Sequence, residues 1–188
     1  MSALLSTKQQ WLVGGILLLV MLATRIHVSN HLQDASWAIF FLAGFYLRHW
    51  LSFGVFMAAA VLIDYIAISQ MGVSSFCVTD AYVALVPAYG ALYAAGRWFG
   101  GLYRESLSAL LPLAASLLVG VVACEVISSG SFYLLSPRFA EAGISGFAQD
   151  LVKYLPHSLA ITGFYVGVAA LVHIGMLHMR RPQGHVGV

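Results

Sequence analysis

Charge is what this sequence has least of. Of its 188 residues only 9% are Asp, Glu, Lys or Arg, while 61% are hydrophobic. A water-soluble domain carries roughly 25% charged residues, so most of the surface of this chain cannot face water. The net charge of +2 is too small to attract an anionic polymer. Together these shortages exclude a nucleic-acid-binding module, a disordered chain and a cytosolic enzyme. Cysteine is scarce as well: Cys77 and Cys124 stand alone, with no CxxC pair and no Cys/His cluster at zinc-finger spacing. Neither a disulfide framework nor a structural zinc site is expected. The HExxH, GxSxG, Walker and GxGxxG patterns are all missing, so no nucleotide site is expected. Tandem repeats and low-complexity tracts are missing too.

What the chain has instead is long apolar runs. Six of them, at about 11–27, 36–48, 50–69, 80–99, 107–128 and 151–177, are separated by polar or turn-forming residues. A helix crosses the hydrocarbon core with about 20 apolar residues, so the length suits about six passes and leaves no room for a separate soluble domain. The expected fold is an all-α integral membrane protein: one domain, residues 1–188, of six transmembrane helices. The run from Trp11 to Ala23 follows Lys8 like a signal peptide. However, no small-x-small cleavage site precedes Arg25 and His27, and the segment reads as a retained first helix. The second and third runs meet through Arg48-His49-Trp50 alone and predict a tight helical hairpin. Residues 129–150 hold Gly130, Pro137, Gly143 and Gly146 beside Arg138 and Glu141. They read as the longest connection, an ordered cap or lid. Pro87, Pro112 and Pro156 are expected to kink or start the fourth, fifth and sixth helices.

Cytoplasmic flanks carry the excess of Lys and Arg. Lys8, Arg48, Arg97, Arg104, Arg180 and Arg181 fall on the side of the N-terminus, and Arg25, Arg138 and Lys153 opposite. Six against three places both termini in the cytoplasm. The outward face then receives the 28–35, 70–79 and 129–150 connections, as suits a protein that reads something arriving from outside.

Ionisable groups within membrane segments mark a site or a buried partner. Asp64, Glu125, Lys153 and His157 converge on one depth near the outer ends of their helices. Glu125 with Lys153 reads equally as an internal ion pair that orients helices; Asp64, followed by Tyr65, reads as ligand-facing. Cys77 stands just before the fourth helix, where unpaired amides and the dipole favour the thiolate needed for metal coordination or nucleophilic attack. Asp80 opposes that by repulsion or serves as the N-cap. An isolated cysteine is also an ordinary small side chain, and Cys124, within an apolar run, reads as packing. His27 and His31, four residues apart, share a face if the first helix reaches them. Otherwise they belong to a polar loop over a ligand. Phe76, Tyr82, Phe132 and Tyr133 are the outward aromatics from which a pocket wall is drawn. Ala84, Ala88, Ala91 and Ala95 recur at a spacing that permits close helix contact, within the bundle or with a partner subunit.

The six short helices, the outward loops and the stretch Asp64-Tyr65 followed by Ser75-Phe76-Cys77-Val78-Thr79-Asp80-Ala81-Tyr82 resemble a known family. The chain looks like the BtuM-type cobalamin transporters of Gram-negative bacteria, relatives of the substrate-binding S-components of energy-coupling-factor (ECF) transporters. The resemblance implies an S-component-like bundle in the bacterial inner membrane that binds cobalamin at its outer face. It maps the cobalt-coordinating cysteine to Cys77, and pocket residues around the corrin ring to Asp64 and Tyr82. Tyr65, Phe76, His27, His31, Arg138 and His157 join them as further candidates for contact with the vitamin. A thiolate is a soft donor suited to cobalt and could displace the vitamin's benzimidazole arm, giving a base-off form. Its electron donation would also loosen the opposite ligand, so Cys77-assisted loss of an upper cyanide is expected. Gly15, Leu19 and Ala23 fill the spacing where a small-xxx-small signature would dock an S-component onto its coupling subunit. The signature is not evident, and a solitary transporter is the expectation, with the fourth helix as a fallback contact face. Other readings are an S-component-like transporter for another vitamin, a membrane thiol enzyme using Cys77 with His27, His31 or His157 as base, and a redox factor pairing Cys77 with Cys124.

Overall fold

In a computed structural model, residues 5–26, 33–47, 49–72, 80–135 and 143–180 are described. Among the described residues all regular structure is helical: α1 (Thr7–Arg25), α2 (Ser36–Tyr46), α3 (Leu51–Met71), α4 (Leu85–Leu102), α5 (Leu110–Leu135) and α6 (Gly143–Arg180). Short 3₁₀ turns, Asp80–Ala84 and Leu107–Ala109, lead into α4 and α5. Helix is what apolar runs of this length require where water is absent, because every backbone amide and carbonyl must then be paired within its own segment. Local signals set the ends. Ser6 caps α1 through a reciprocal pair of hydrogen bonds with Gln9, which satisfies two amides left over by the first turn. Gly72 closes α3 in the left-handed region, φ +68°, where a side chain would be strained.

Four segments are long and apolar enough to cross a membrane: Thr7–Arg25, Leu51–Met71, Leu107–Leu135 and Ser145–Met179. Their outer faces carry Leu19, Leu62, Leu111, Leu118, Phe164 and Leu171, large apolar side chains that stay exposed, the pattern of helices that face lipid. α2 is different. At 11 residues it spans only about 16 Å, yet every one of its residues except Trp37 is buried. It is the centre of the bundle.

α4 packs closely against both α2 and α5, and small residues let it. A Cβ at Gly44 would overlap the Tyr93 carbonyl, one at Gly96 would overlap the Phe41 carbonyl, and one at Gly120 would lie 2.7 Å from the Ala95 Cβ. The Ala88 and Ala95 positions of the small-residue stripe are buried here, inside the chain. Around these contacts Phe40 stacks on Tyr89 with centroids 4.4 Å apart, and Phe45 meets Phe99 at 4.9 Å.

The sequence expectations hold for the α2–α3 hairpin, whose helices are separated only by residues 47–50. They fail at residues 129–150. α5 runs on to Leu135 and α6 already begins at Gly143, so most of that expected lid is helix. Glycine costs a helix only about 1 kcal/mol, and serines in this stretch return hydroxyls to their own helix, Ser131 to the Ser128 carbonyl and Ser129 to the Glu125 side chain. Pro156, expected to kink or start its helix, lies within α6 and does not start it. Neighbouring helices and local adjustment tolerate proline in such apolar helices.

Candidate functional site

The C-terminal ends of α1, α3 and α5 and the N-terminal ends of α2, α4 and α6 gather at one end of the bundle. α1 delivers Arg25 as its last residue, α3 delivers Asp64, and the turn before α4 delivers Tyr82. Arg25 grips Asp64 side-on, Nε to Oδ1 at 2.6 Å and Nη2 to Oδ2 at 2.7 Å. This is the bidentate geometry in which a guanidinium matches a carboxylate best. The remaining Nη1 faces three acceptors: Ser36 Oγ at 2.8 Å, Tyr89 Oη at 3.1 Å and Asp34 Oδ2 at 3.2 Å. Nη1 has two hydrogens, so these acceptors share them. The Tyr82 hydroxyl donates to Asp64 Oδ2 at 2.7 Å. Asp34 accepts from the amide and hydroxyl of Ser36 through Oδ1, which ties the start of α2 to the network. The Arg25 side chain is 10% exposed and that of Asp64 21%.

Beside this network lies a cavity of about 460 Å³, lined by Arg25, Asp34, Asp64, Tyr82, Tyr89, Ser128, Ser129, Tyr133 and Asp150 with Phe132, Tyr154, Ala81 and Leu85. The volume lies within the range of small-molecule sites. Three carboxylates and one guanidinium share its wall, so the lining favours a ligand that donates hydrogen bonds. Tyr133 donates to Asp150 across the α5–α6 junction. Burial, reinforced by the hydrogen bond to Asp64, raises the Tyr82 phenol well above its ordinary range. Tyr82 is therefore a permanent donor at neutral pH.

The chain matches no known protein-family model and no curated protein. What the site can do is therefore read from its own residues.

Of the residues singled out in the sequence, the structure brings Asp64 and Tyr82 together on the cavity wall. Tyr65, next in the chain to Asp64, is 68% exposed. His157 is exposed on α6, and neither Tyr65 nor His157 lines the cavity. Cys77, Phe76, His27, His31 and Arg138 lie outside the described residues. The Glu125–Lys153 ion pair is not formed. Glu125 takes hydroxyls from Ser129 and Ser158, while the Lys153 ammonium sits 5.0 Å from the Tyr154 ring centre. Cys124 is a free, fully buried thiol.

Sequence reasoning used Arg25 only to orient the chain, and passed over Tyr89 and Asp150 as site residues. Arg25 had a readable signal: it is a cation within the same helix-end layer as Asp64, and charges at one depth in a membrane segment seek each other. Tyr89 gave none, since a tyrosine one turn into an apolar helix looks like any core aromatic.

The opposite end of the bundle holds a second constellation. His173 of α6 stands between two phenols, Nδ1 3.1 Å from Tyr46 Oη and Nε2 2.9 Å from Tyr103 Oη. Phe45 and Phe99 complete an aromatic wall there, beside a mostly apolar cavity of about 250 Å³.

Proposed function

We propose that this chain is a cobalamin-binding uptake transporter of the bacterial inner membrane, crossing it six times with both termini in the cytoplasm. In this reading α2 and α4 complete the four longer spans, α2 crossing inside the protein where its short length exposes no backbone to lipid. The Lys and Arg count puts the Arg25–Asp64 end outward. One observation carries the reading: the cavity of about 460 Å³ with charged groups in its wall lies at that end, with Ala81 and Tyr82 in its wall a few residues after Cys77. Cobalamin is rimmed with neutral carboxamides. Their amide hydrogens suit Asp34 and Asp150, and also the hydroxyl oxygens of Ser128 and Ser129, whose own hydrogens go to Glu125. Asp64, with both oxygens engaged by Arg25 and Tyr82, shapes the wall and orients Tyr82.

Cys77 is the axial donor in this proposal. A thiolate on the lower face of the corrin displaces the benzimidazole, and its electron donation weakens the bond on the upper face. The cyanide of cyanocobalamin then departs with the electron pair of its bond and takes a proton from water, while cobalt remains Co(III). Absorption spectra of purified protein mixed with cyanocobalamin test both steps. The expected outcome is a base-off, thiolate-type spectrum with progressive cyanide release in the wild type and neither change in Cys77→Ala. Identical spectra and identical slow cyanide release in the two proteins would refute it.

A further inference from the structure

The second cavity, at the end of the bundle away from Arg25 and Asp64, is built in layers. Phe41 of α2, Leu113 of α5 and Val166 of α6 form its floor, farthest from the helix ends. Tyr46, Tyr103 and His173 follow, and Arg104 and Glu105 stand exposed at the rim. Leu107 and Leu110 line the cavity and are themselves exposed, so its side wall belongs to the surface that faces lipid. Its volume of about 250 Å³ falls short of the roughly 300–1,000 Å³ of sites that enclose a whole small ligand. The fitting occupant leaves part of itself in the bilayer.

The middle layer has a hydrogen to give. His173 meets Tyr46 Oη through Nδ1 at 3.1 Å and Tyr103 Oη through Nε2 at 2.9 Å. A neutral imidazole carries one N–H and one lone pair. In either tautomer it donates to one phenol and accepts from the other, and the phenol that accepts keeps its own hydrogen. A protonated imidazole leaves both phenols holding theirs. Neither hydroxyl has another hydrogen-bond partner among the described residues. At least one O–H is therefore open to an acceptor in the cavity that both phenols line. The rim offers both signs of charge. Among the described residues the ion pairs are those of Arg25. Arg104 and Glu105, neighbours in sequence, are bound neither to each other nor to another side chain there.

We propose that this cavity holds one zwitterionic aminophospholipid, of the phosphatidylethanolamine class, from the leaflet at this end of the bundle. From rim to floor the wall offers a guanidinium beside a carboxylate, then a phenol hydrogen, then apolar side chains. From head to tail such a lipid offers a phosphate beside an ammonium, then an ester carbonyl, then an acyl chain. Arg104 takes the phosphate by charge-assisted hydrogen bonds, and Glu105 takes the ammonium. The spare phenol O–H donates to the ester carbonyl, and one acyl chain lies against Phe41, Leu113 and Val166. The second chain stays in the bilayer beyond Leu107 and Leu110. An anionic headgroup satisfies Arg104 but sets like charge against Glu105, and a choline headgroup has no N–H to give that carboxylate. The site does not depend on the cobalamin reading.

Native mass spectrometry of the purified protein, offered phosphatidylethanolamine, phosphatidylglycerol and phosphatidylcholine with the same acyl chains, tests the proposal. One phosphatidylethanolamine should stay bound several-fold better than either of the others. Glu105→Gln should abolish that preference, and Arg104→Gln should lower retention of all three; both positions are exposed, so the fold survives. Ala170→Phe, which fills the apolar part of the cavity and leaves the rim intact, should also lower retention of all three. For position, a phosphatidylethanolamine with a diazirine at mid-chain should label peptides from residues 99–113 and 166–178 in the wild type and spare them in Ala170→Phe. Equal retention of the three lipids, or phosphatidylglycerol held above phosphatidylethanolamine, overturns the proposal. So does a Glu105→Gln variant with the wild-type preference, or label spread evenly over α1 and α3.

Discussion

Arg25→Met should destabilise the bundle by more than any other single charge removal, and the structure gives the scale. The substitution removes two short hydrogen bonds to Asp64 and the shared set to Asp34, Ser36 and Tyr89. It also strands Asp64, which is only 21% exposed. Breaking a buried pair from one side costs about 3–5 kcal/mol. The adjoining cavity and the surviving Tyr82 hydroxyl place this case near about 3 kcal/mol. Asp64→Leu should cost less, because the orphaned guanidinium keeps Asp34, Ser36 and Tyr89. The double variant should then cost clearly less than the sum, with a coupling of about 2 kcal/mol. Cys124 offers the assay. It is fully buried and free, so a thiol-reactive dye in a Cys77→Ala background reports unfolding. A loss of about 3 kcal/mol in a chain of this size lowers the midpoint by roughly 6–12 °C. Costs that simply add in the double variant, or an Arg25→Met midpoint equal to the parent, would refute a pair that holds the helix ends together.

Two further predictions concern packing and the site. Gly96→Leu should cost about 3 kcal/mol or more, since its Cβ would overlap the Phe41 backbone; Gly163→Ala, which meets open space, should be neutral or stabilise by up to about 1 kcal/mol. Equal dye-reported midpoints for these two variants would contradict the close α2–α4 contact. Tyr82→Phe removes one hydrogen bond to a charged acceptor and should cost about 1.5–3 kcal/mol with no loss of helix content by circular dichroism; an unchanged midpoint would mean that Tyr82 does not anchor Asp64.

How much of the fold was legible depended on which signal each element carries. Apolar run length is a strong one, and it located the cores of all six α-helices and the short α2–α3 hairpin. Helix ends were read from glycine and proline, and there the reading broke down at 129–150. Those residues punctuate helices in water because exposed backbone finds other partners. Between neighbouring helices the same backbone has nothing better than its own helix, so α5 and α6 run through. The small-residue stripe on α4 had left two uses open. The missing information was what faces it: Gly44 on α2 and Gly120 on α5, each meaningless until the helices are side by side.

The site divides along the same line. Asp64 and Tyr82 were found because a carboxylate within an apolar helix is conspicuous and the resemblance pointed to both. Glu125 was conspicuous too, but its partner was misassigned. Lys153 looked right by charge and depth; depth along an axis does not tell which way around the helix a side chain faces. Ser129 and Ser158 carry no charge and gave no signal, yet they are what Glu125 touches. An ion pair would fasten α5 to α6 by charge; the contact is made instead through two neutral hydroxyls on one carboxyl, Ser129 from within α5 and Ser158 from across on α6.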